Sequence, residues 1–347
     1  HGRTGEQVYR GLAGLFIIHD GEEKGIGLPT DQFDLPVIIQ DRSFDNENQF
    51  SYLDNGMMEQ VTGFLGDQIL VNGSVDRNIS AGNCAYRLRI LNGSNSRIYK
   101  LAWEDGASLT VIGTDGGLLE KPKQLNYVVL APAQRVDLWV DFSSMKMGEL
   151  KRLINLPYNA LGGETAFSIL TVNVSKEVDN SEKLPDKLST IVWHKSENAA
   201  NHNSPRSFKL QMARGMNWTL NGRLFDKEKV VDNEVVKLGD LEIWEFENSP
   251  SSGMGMMGGL NLPHPMHVHG LQFQVIQRDH TFLAPDLWES FKDGIIDEGW
   301  HDTVLVLPGE KVSILLRFQD YTGLYLYHCH NLEHEDMGMM RNYLVNA

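Results

Sequence analysis

Between Phe33 and His330 the chain repeats one pattern: a short alternating or continuous apolar run, then a break at Gly, Asn, Asp or Pro. "FDLPVIIQDRSF", "YRLRILNGS", "LTVIGTD", "QRVDLWVDF", "FSILTVNVS", "FKLQM", "LEIWEFEN", "LQFQVIQRD", "KVSILLRF" and "LYLYHCH" all show it, and so does "LAGLFIIHD" near the start. Period-two alternation in runs rich in Val, Ile, Leu and aromatics marks half-buried strands, and apolar positions at helical spacing are scarce. Many short strands with regular turn signals predict an all-β chain folded as antiparallel sandwiches or barrels.

At 347 residues the chain exceeds what one core usually organises, so tandem domains are expected. The charged stretch "NVSKEVDNSEKLPDKLST" reads as the boundary. It divides residues 26–175, one sandwich, from 191–347, another, with 176–190 as linker. Residues 1–25 look like the end of an earlier domain. A net charge of −15 opposes binding to nucleic acid or anionic membranes, which need a basic face. No apolar run approaches the roughly 20 residues that cross a bilayer. The two cysteines, Cys84 and Cys329, are read as unlinked, because Cys329 has a better use as a soft thiolate ligand.

That use follows from its neighbours. "HPMHVHG" carries His264, His267 and His269; "YHCHNLEHEDMGMM" carries His328, Cys329, His330, His334 and Met339; His1 opens the chain in "HGRTG". Along a strand, residues two apart share a face and neighbours oppose. His328 and His330 therefore look one way and Cys329 the other, and His267 and His269 share a face. His264, ahead of Pro265, can turn toward the Cys329 side. Two imidazoles, a thiolate and a more distant thioether form the donor list of a blue-copper site. The histidines at 267, 269, 328 and 330 make a second, all-imidazole cluster suited to copper that handles oxygen. Isolated histidines such as His19, His194, His202, His280 and His301 are read as surface or core residues.

With these motifs the chain resembles the multicopper oxidases, the laccase-like family of cupredoxin sandwiches, and in particular its bacterial three-domain members. "HPMHVHG" and "HCHNLEHEDMGMM" match the family's C-terminal copper motifs, "HGRTGEQVYRGLAGLFIIHD" the end of its first domain, and "RLRILNGSNSRIYKLAW" and "LAPAQRVDLWVDF" its second. The resemblance implies tandem Greek-key cupredoxin domains. It implies copper of types 1, 2 and 3, four ions in the complete enzyme. His264, Cys329, His334 and Met339 would hold type 1; His267 type 2; His269, His328, His330 and His1 the type 3 pair. The family's trinuclear cluster takes more histidines than these supply. The remainder are expected on an N-terminal cupredoxin domain, separated by cleavage or held as its own polypeptide. A periplasmic or secreted setting is also implied.

The implied reaction removes single electrons from a small reducing substrate at type 1 copper, near a surface-facing His264 or His334. Cys329 passes them to His328 and His330, and dioxygen becomes water at the trinuclear cluster. Glu335 resembles the family's proton-passing acid, Asp302 in "GWHDTV" a residue that orients groups around the site, and Asp336 is left as structural. A broad-specificity phenol oxidase is the favoured activity. Cuprous oxidation is the alternative, suggested by Met254, Met256 and Met257 in the Gly-rich loop before His264 and weakened by Leu260 and Leu262 where further soft donors would be expected. A bilirubin oxidase, an electron-transfer cupredoxin and a copper-free cell-division scaffold complete the alternatives. The last is disfavoured because the C-terminal ligands are all present.

Overall fold

The alternating runs pair as strands in the computed structural model, which describes residues 1–179, 182–213, 215–249 and 260–347. Residues 34–176 form two sheets. One orders Phe50–Ser51, Asp34–Phe44, Ala85–Asn92, Arg135–Asp141, Leu109–Thr114 and Gly117–Leu125, with Gln68–Val71 also on Asp34–Phe44. The other orders Asn78–Gly82, Phe167–Lys176, Leu150–Asn155, Tyr99–Trp103 and Val128–Leu130. Their inner faces share one apolar core that includes Val37, Leu88, Leu101, Val111, Leu138 and Ile169.

Residues 206–346 repeat the plan. Trp218–Leu220, Arg206–Met212, Leu241–Glu247, Lys311–Arg317 and Phe273–Asp279 make one sheet; Val235–Lys237, Met340–Asn346, Gly323–Cys329, His264–Val268 and Thr303–Val306 make the other. Phe208, Trp244, Phe246, Tyr327 and Tyr343 fill the core between them. Cys329 and Met339 belong to that same core.

Three features depart from the sequence-based expectation. The sheets are mixed rather than purely antiparallel: Asp34–Phe44 lies parallel to Ala85–Asn92, Asn78–Gly82 to Phe167–Lys176, Arg206–Met212 to Leu241–Glu247, and Val235–Lys237 to Met340–Asn346. A parallel pair needs a long crossover, and tens of residues separate the partners here. Second, the run Leu12–Ile18 pairs with no strand among the described residues, and Leu12, Phe16 and Ile18 are exposed. Alternation alone cannot supply the ladder partner that a strand's backbone requires. Third, the charged stretch expected as a linker, with residues 180–181 outside those described, is docked at its far end. Leu188 is buried in the first core, and Ser189 Oγ donates to the Leu118 and Leu119 carbonyls.

Among the described residues four short α-helices occupy the connections: α1 (Thr4–Tyr9), α2 (Met57–Thr62), α3 (Pro285–Phe291) and α4 (Leu332–Asp336). α1 and α2 both pack on α4. A further apolar cluster joins the two sandwiches, with Ile98, Val129 and Tyr158 from the first against Leu283, Phe291 and Leu307 from the second. Among the described residues no helix is long and apolar enough to cross a membrane.

Candidate metal centre

The register of two strands sorts the candidate donors. Gly323–Cys329 pairs antiparallel with His264–Val268, setting His267 opposite His328 and Met266 opposite Cys329. Cross-strand partners share a face and the pleat alternates. His264 and Met266 therefore lie on the face of Cys329, toward the core, and His267 lies with His328 on the other.

On the core side His264 Nδ1 is 3.5 Å from Cys329 Sγ, His334 Nδ1 is 3.8 Å from it, and the two nitrogens are 3.2 Å apart. His334 reaches the pocket because the strand stops at Cys329 and α4 turns the chain back. The Asn331 side chain caps α4 by accepting the His334 N–H. Gly338, at φ +107°, then reverses the chain so that Met339 N donates to the His334 carbonyl and Cys329 N to the Met339 carbonyl. At that φ the conformation calls for glycine; a Cβ there would only push aside the end of the exposed Leu224 side chain.

This pocket is closed. His264, Cys329, His334 and Met339 are each 0% exposed, which corrects the expectation that His264 or His334 faces the surface. The cover comes from distant sequence: the Trp218 ring lies 4.7 Å from both imidazoles, and the Val61 carbonyl, on α2, accepts from Trp218 Nε1 at 2.8 Å and from His334 Nε2 at 3.0 Å. Burial pushes His264 down to about 3, drives His334 well below the usual imidazole range, and pushes the Cys329 thiol far up. The imidazoles are thus neutral lone-pair donors, and a thiolate among them needs a cation to neutralise it. His264 Nε2 has no hydrogen-bond partner. The donor set fits copper, whose soft character matches thiolate and thioether.

On the opposite face the imidazoles point the other way round. His269 Nε2 and His328 Nε2 are 3.0 Å apart, and His1, His269 and His328 bring their donor atoms within 4.8 Å of one another. His267 joins through ring contacts of 4.7 Å to His269 and 5.4 Å to His328, and His330 lies 5.8 Å from His267. Three of the Nδ1 atoms are tied down, whereas His330 Nδ1 has no hydrogen-bond partner among the described residues. His267 donates to the Asp302 carbonyl at 2.8 Å, His328 to the Cys329 carbonyl at 3.0 Å, and His1 to Glu335 Oε1 at 2.6 Å. Glu335 Oε2 lies 3.2 Å from His328 Nδ1. Such outward bonds fix ring orientation and leave Nε2 for a metal. Burial, reinforced by the neighbouring histidines, lowers His269 and His330 to about 4 and His328 further. This set also fits copper, for which imidazole is a suitable ligand.

α4 links the two faces to the rest of the molecule through its carboxylates. Glu333, which sequence reasoning missed, is buried and accepts from Tyr52 Oη at 2.8 Å, Asn95 Nδ2 at 2.7 Å, the Phe64 N–H at 3.0 Å and Ser96 Oγ. Glu335 is buried rather than solvated; burial raises its pKa, and Thr4 Oγ1 donates to it at 2.5 Å. Asp336 accepts from the first amides of α1, Thr4 and Gly5, at 2.9 Å each. The alternating acids around His334 were the available signal; their partners, far off in sequence, were not.

Other candidates separate from the site. His19, Glu23 and Asp34 cluster, yet Glu23 is bound by Arg87 and Arg89 and Asp34 by Arg89, so the group is an ion-pair network. His301 is buried 3.4 Å from Asp115. Cys84 and Cys329 are both free, as expected. Met254, Met256 and Met257 lie outside the described residues.

A family model described as multicopper oxidase matches residues 199–347. A multicopper oxidase of Staphylococcus haemolyticus is 34% identical over 97% of this chain, and a laccase of Bacillus subtilis 34% identical over 96%. The chain spans 64% of the length of the first and 66% of the second. The crystal structure of the McoA multicopper oxidase from Aquifex aeolicus superposes with a TM-score of 0.84 at 36% identity, covering all of this chain and 74% of that one.

Proposed function

Because the chain belongs to the multicopper oxidase family, whose cofactor is copper, we propose that it oxidises phenolic, laccase-type substrates one electron at a time and delivers the electrons to dioxygen. One observation carries this reading: Cys329 stands between two fully buried imidazole nitrogens on one face of its strand, with an all-histidine cluster on the other.

In this reading His264, Cys329, His334 and Met339 hold type 1 copper, His267 type 2, and His269, His328, His330 and His1 the type 3 pair. Bound copper supplies single-electron oxidation on one side and dioxygen reduction to water on the other. The chain's own groups do the rest. Cys329 places its sulfur in one cluster and its flanking peptide bonds beside the ligands of the other, the shortest covalent bridge between them. Trp218, Val61 and α2 exclude water from the core-side pocket. The Asp302 carbonyl orients His267, Glu335 orients His1, and the Cys329 carbonyl orients His328. Glu335, its carboxyl raised by burial and bound at Oε1 by Thr4 and His1, is placed beside the cluster to pass protons to reduced oxygen.

Copper loading of the protein, followed by absorption spectroscopy and oxygen uptake with a phenol, a bilin and Cu(I) in parallel, tests the reading. An intense blue thiolate-to-copper band with fastest uptake on the phenol is expected. Absence of the band, or turnover confined to Cu(I) or bilin, would replace it.

A further inference from the structure

His267 sits on a seam between the two sandwiches, and the second sandwich does not orient it alone. Its strand pairs with Thr303–Val306, His267 opposite Thr303. From the first sandwich a tight turn over residues 131–135 reaches the same place. Ala133 holds φ +68°, a conformation uncommon for a residue with a Cβ, and strain of that kind persists only where surrounding contacts enforce it. Those contacts are present: Ala133 N donates to the Asn92 carbonyl and Gln134 N to the Ala131 carbonyl.

The turn delivers two side chains to the seam. Gln134 Nε2 donates to the Thr303 carbonyl at 3.2 Å. Arg135 meets Asp302 through two parallel bonds of 2.7 Å, Nη1 to Oδ1 and Nη2 to Oδ2. The guanidinium is itself oriented by the carbonyls of Ala133 at 3.0 Å and Asp115 at 2.9 Å. Asp302 then passes that orientation on. Its Oδ1 accepts from Thr303 Oγ1 at 2.9 Å, and its main-chain carbonyl accepts both His267 Nδ1–H at 2.8 Å and Val268 N–H at 3.1 Å. Thr303 Oγ1 lies 3.1 Å from the same Nδ1.

We propose that Arg135 is a positioning residue for His267: by clamping Asp302 it holds the imidazole in the Nδ1–H tautomer, with Nε2 turned into the histidine cluster. In a neutral imidazole the bond made by one nitrogen decides which nitrogen carries the proton. A planar fork gripping both carboxylate oxygens fixes the Asp302 main chain as a point charge cannot, so lysine is a poor substitute. The inference rests on the reading of His267 as a copper ligand, but its core is a property of the copper-free chain and is measured there.

The test is ring-¹⁵N histidine NMR on the full copper-free chain, for the wild type, Arg135→Gln and Arg135→Lys, followed by copper titration read by EPR and by the blue band. His267 is expected as the Nδ1–H tautomer in the wild type and as a mixture or the Nε2–H form in both variants. The non-blue copper should then bind about 10–100-fold more weakly, with the blue band unchanged. Retention of the Nδ1–H form and of non-blue copper affinity in both variants overturns the proposal, as does an Nε2–H tautomer in the wild type. Should Arg135→Gln fail to fold, Arg135→Lys, which keeps the charge, decides. A wild type with the expected tautomer, lost in the variants, that takes up no non-blue copper supports the positioning role and overturns the functional reading of His267 instead.

Discussion

The two faces of the Gly323–Cys329 strand hold the same side chain in opposite ways. On the core face His264 and His334 converge through Nδ1, and the one bond made outward is His334 Nε2 to the Val61 carbonyl. On the other face Nε2 atoms converge, and the Nδ1 atoms of His1, His267 and His328 are tied outward to a carboxylate or to carbonyls. The first region is shaped by apolar enclosure, with all four donor residues out of solvent. The second is shaped by polar anchors contributed from α1, α4 and the Asp302 segment. Burial defines a pocket whose ligand geometry does not depend on charge; anchored imidazoles define one that does.

The largest effect that separates the regions is expected from Cys329→Ser. It removes the sulfur that lies between the two core-side imidazoles, so the blue absorption should vanish and copper affinity there should fall by more than about 100-fold, beyond what loss of an outer partner causes. The histidine face should keep its copper, as metal analysis and EPR would show; loss of both would mean that the regions are not independent.

Glu333→Ala comes next. It strands buried donors from Tyr52, Asn95, Ser96 and Phe64, a change worth about 3–5 kcal/mol of unfolding free energy in denaturant titration. Glu333→Gln, which keeps most of the acceptor, should cost less. A loss below about 1 kcal/mol would show that α4 is held by packing alone.

Acid should act on both regions of the copper-free chain. His264 lies near 3 and His269 and His330 near 4, below the ordinary value of 6.5. Between those values the unfolded chain binds protons that the folded chain refuses, so stability falls as pH drops from about 6.5 toward 4. Each such histidine adds a slope on the order of 1.4 kcal/mol per pH unit. Saturating copper, which also keeps protons off its ligands in the folded chain, should preserve this slope and extend it to lower pH; a slope lost on copper loading would break the assignment of these residues. The smallest effect belongs to Trp218→Phe, which removes one donor to Val61 and should cost about 1 kcal/mol while shifting the blue band slightly. A strong bleaching would show that the indole, and not the enclosure as a whole, governs the pocket.

Much of this was legible from local pattern. The run Arg206–Met212 alternates as it packs, with Phe208 and Leu210 buried and Lys209 and Gln211 exposed, and the spacing of His264, His267, His269 and His328–His330 already sorts donors onto two faces. Less visible was α4, whose signal is only Asn331 as cap with acids behind it in five residues. The run at Leu12–Ile18 misled because a strand is defined by its partner and not by itself. The closure of the core-side pocket was also invisible, since α2 and Trp218 come from elsewhere in the chain.

By itself, then, the sequence determined which runs are able to form strands, which side chains share a face and which chemistry the sulfur and imidazoles can offer, because these follow from a period of two and from atom type. Only the tertiary structure decided which nitrogen of each histidine points inward, how deeply the thiol is buried, and that Glu333, Arg135 and Val61 belong to the site. Those properties depend on distance and dielectric between groups far apart along the chain, where no local periodicity carries information.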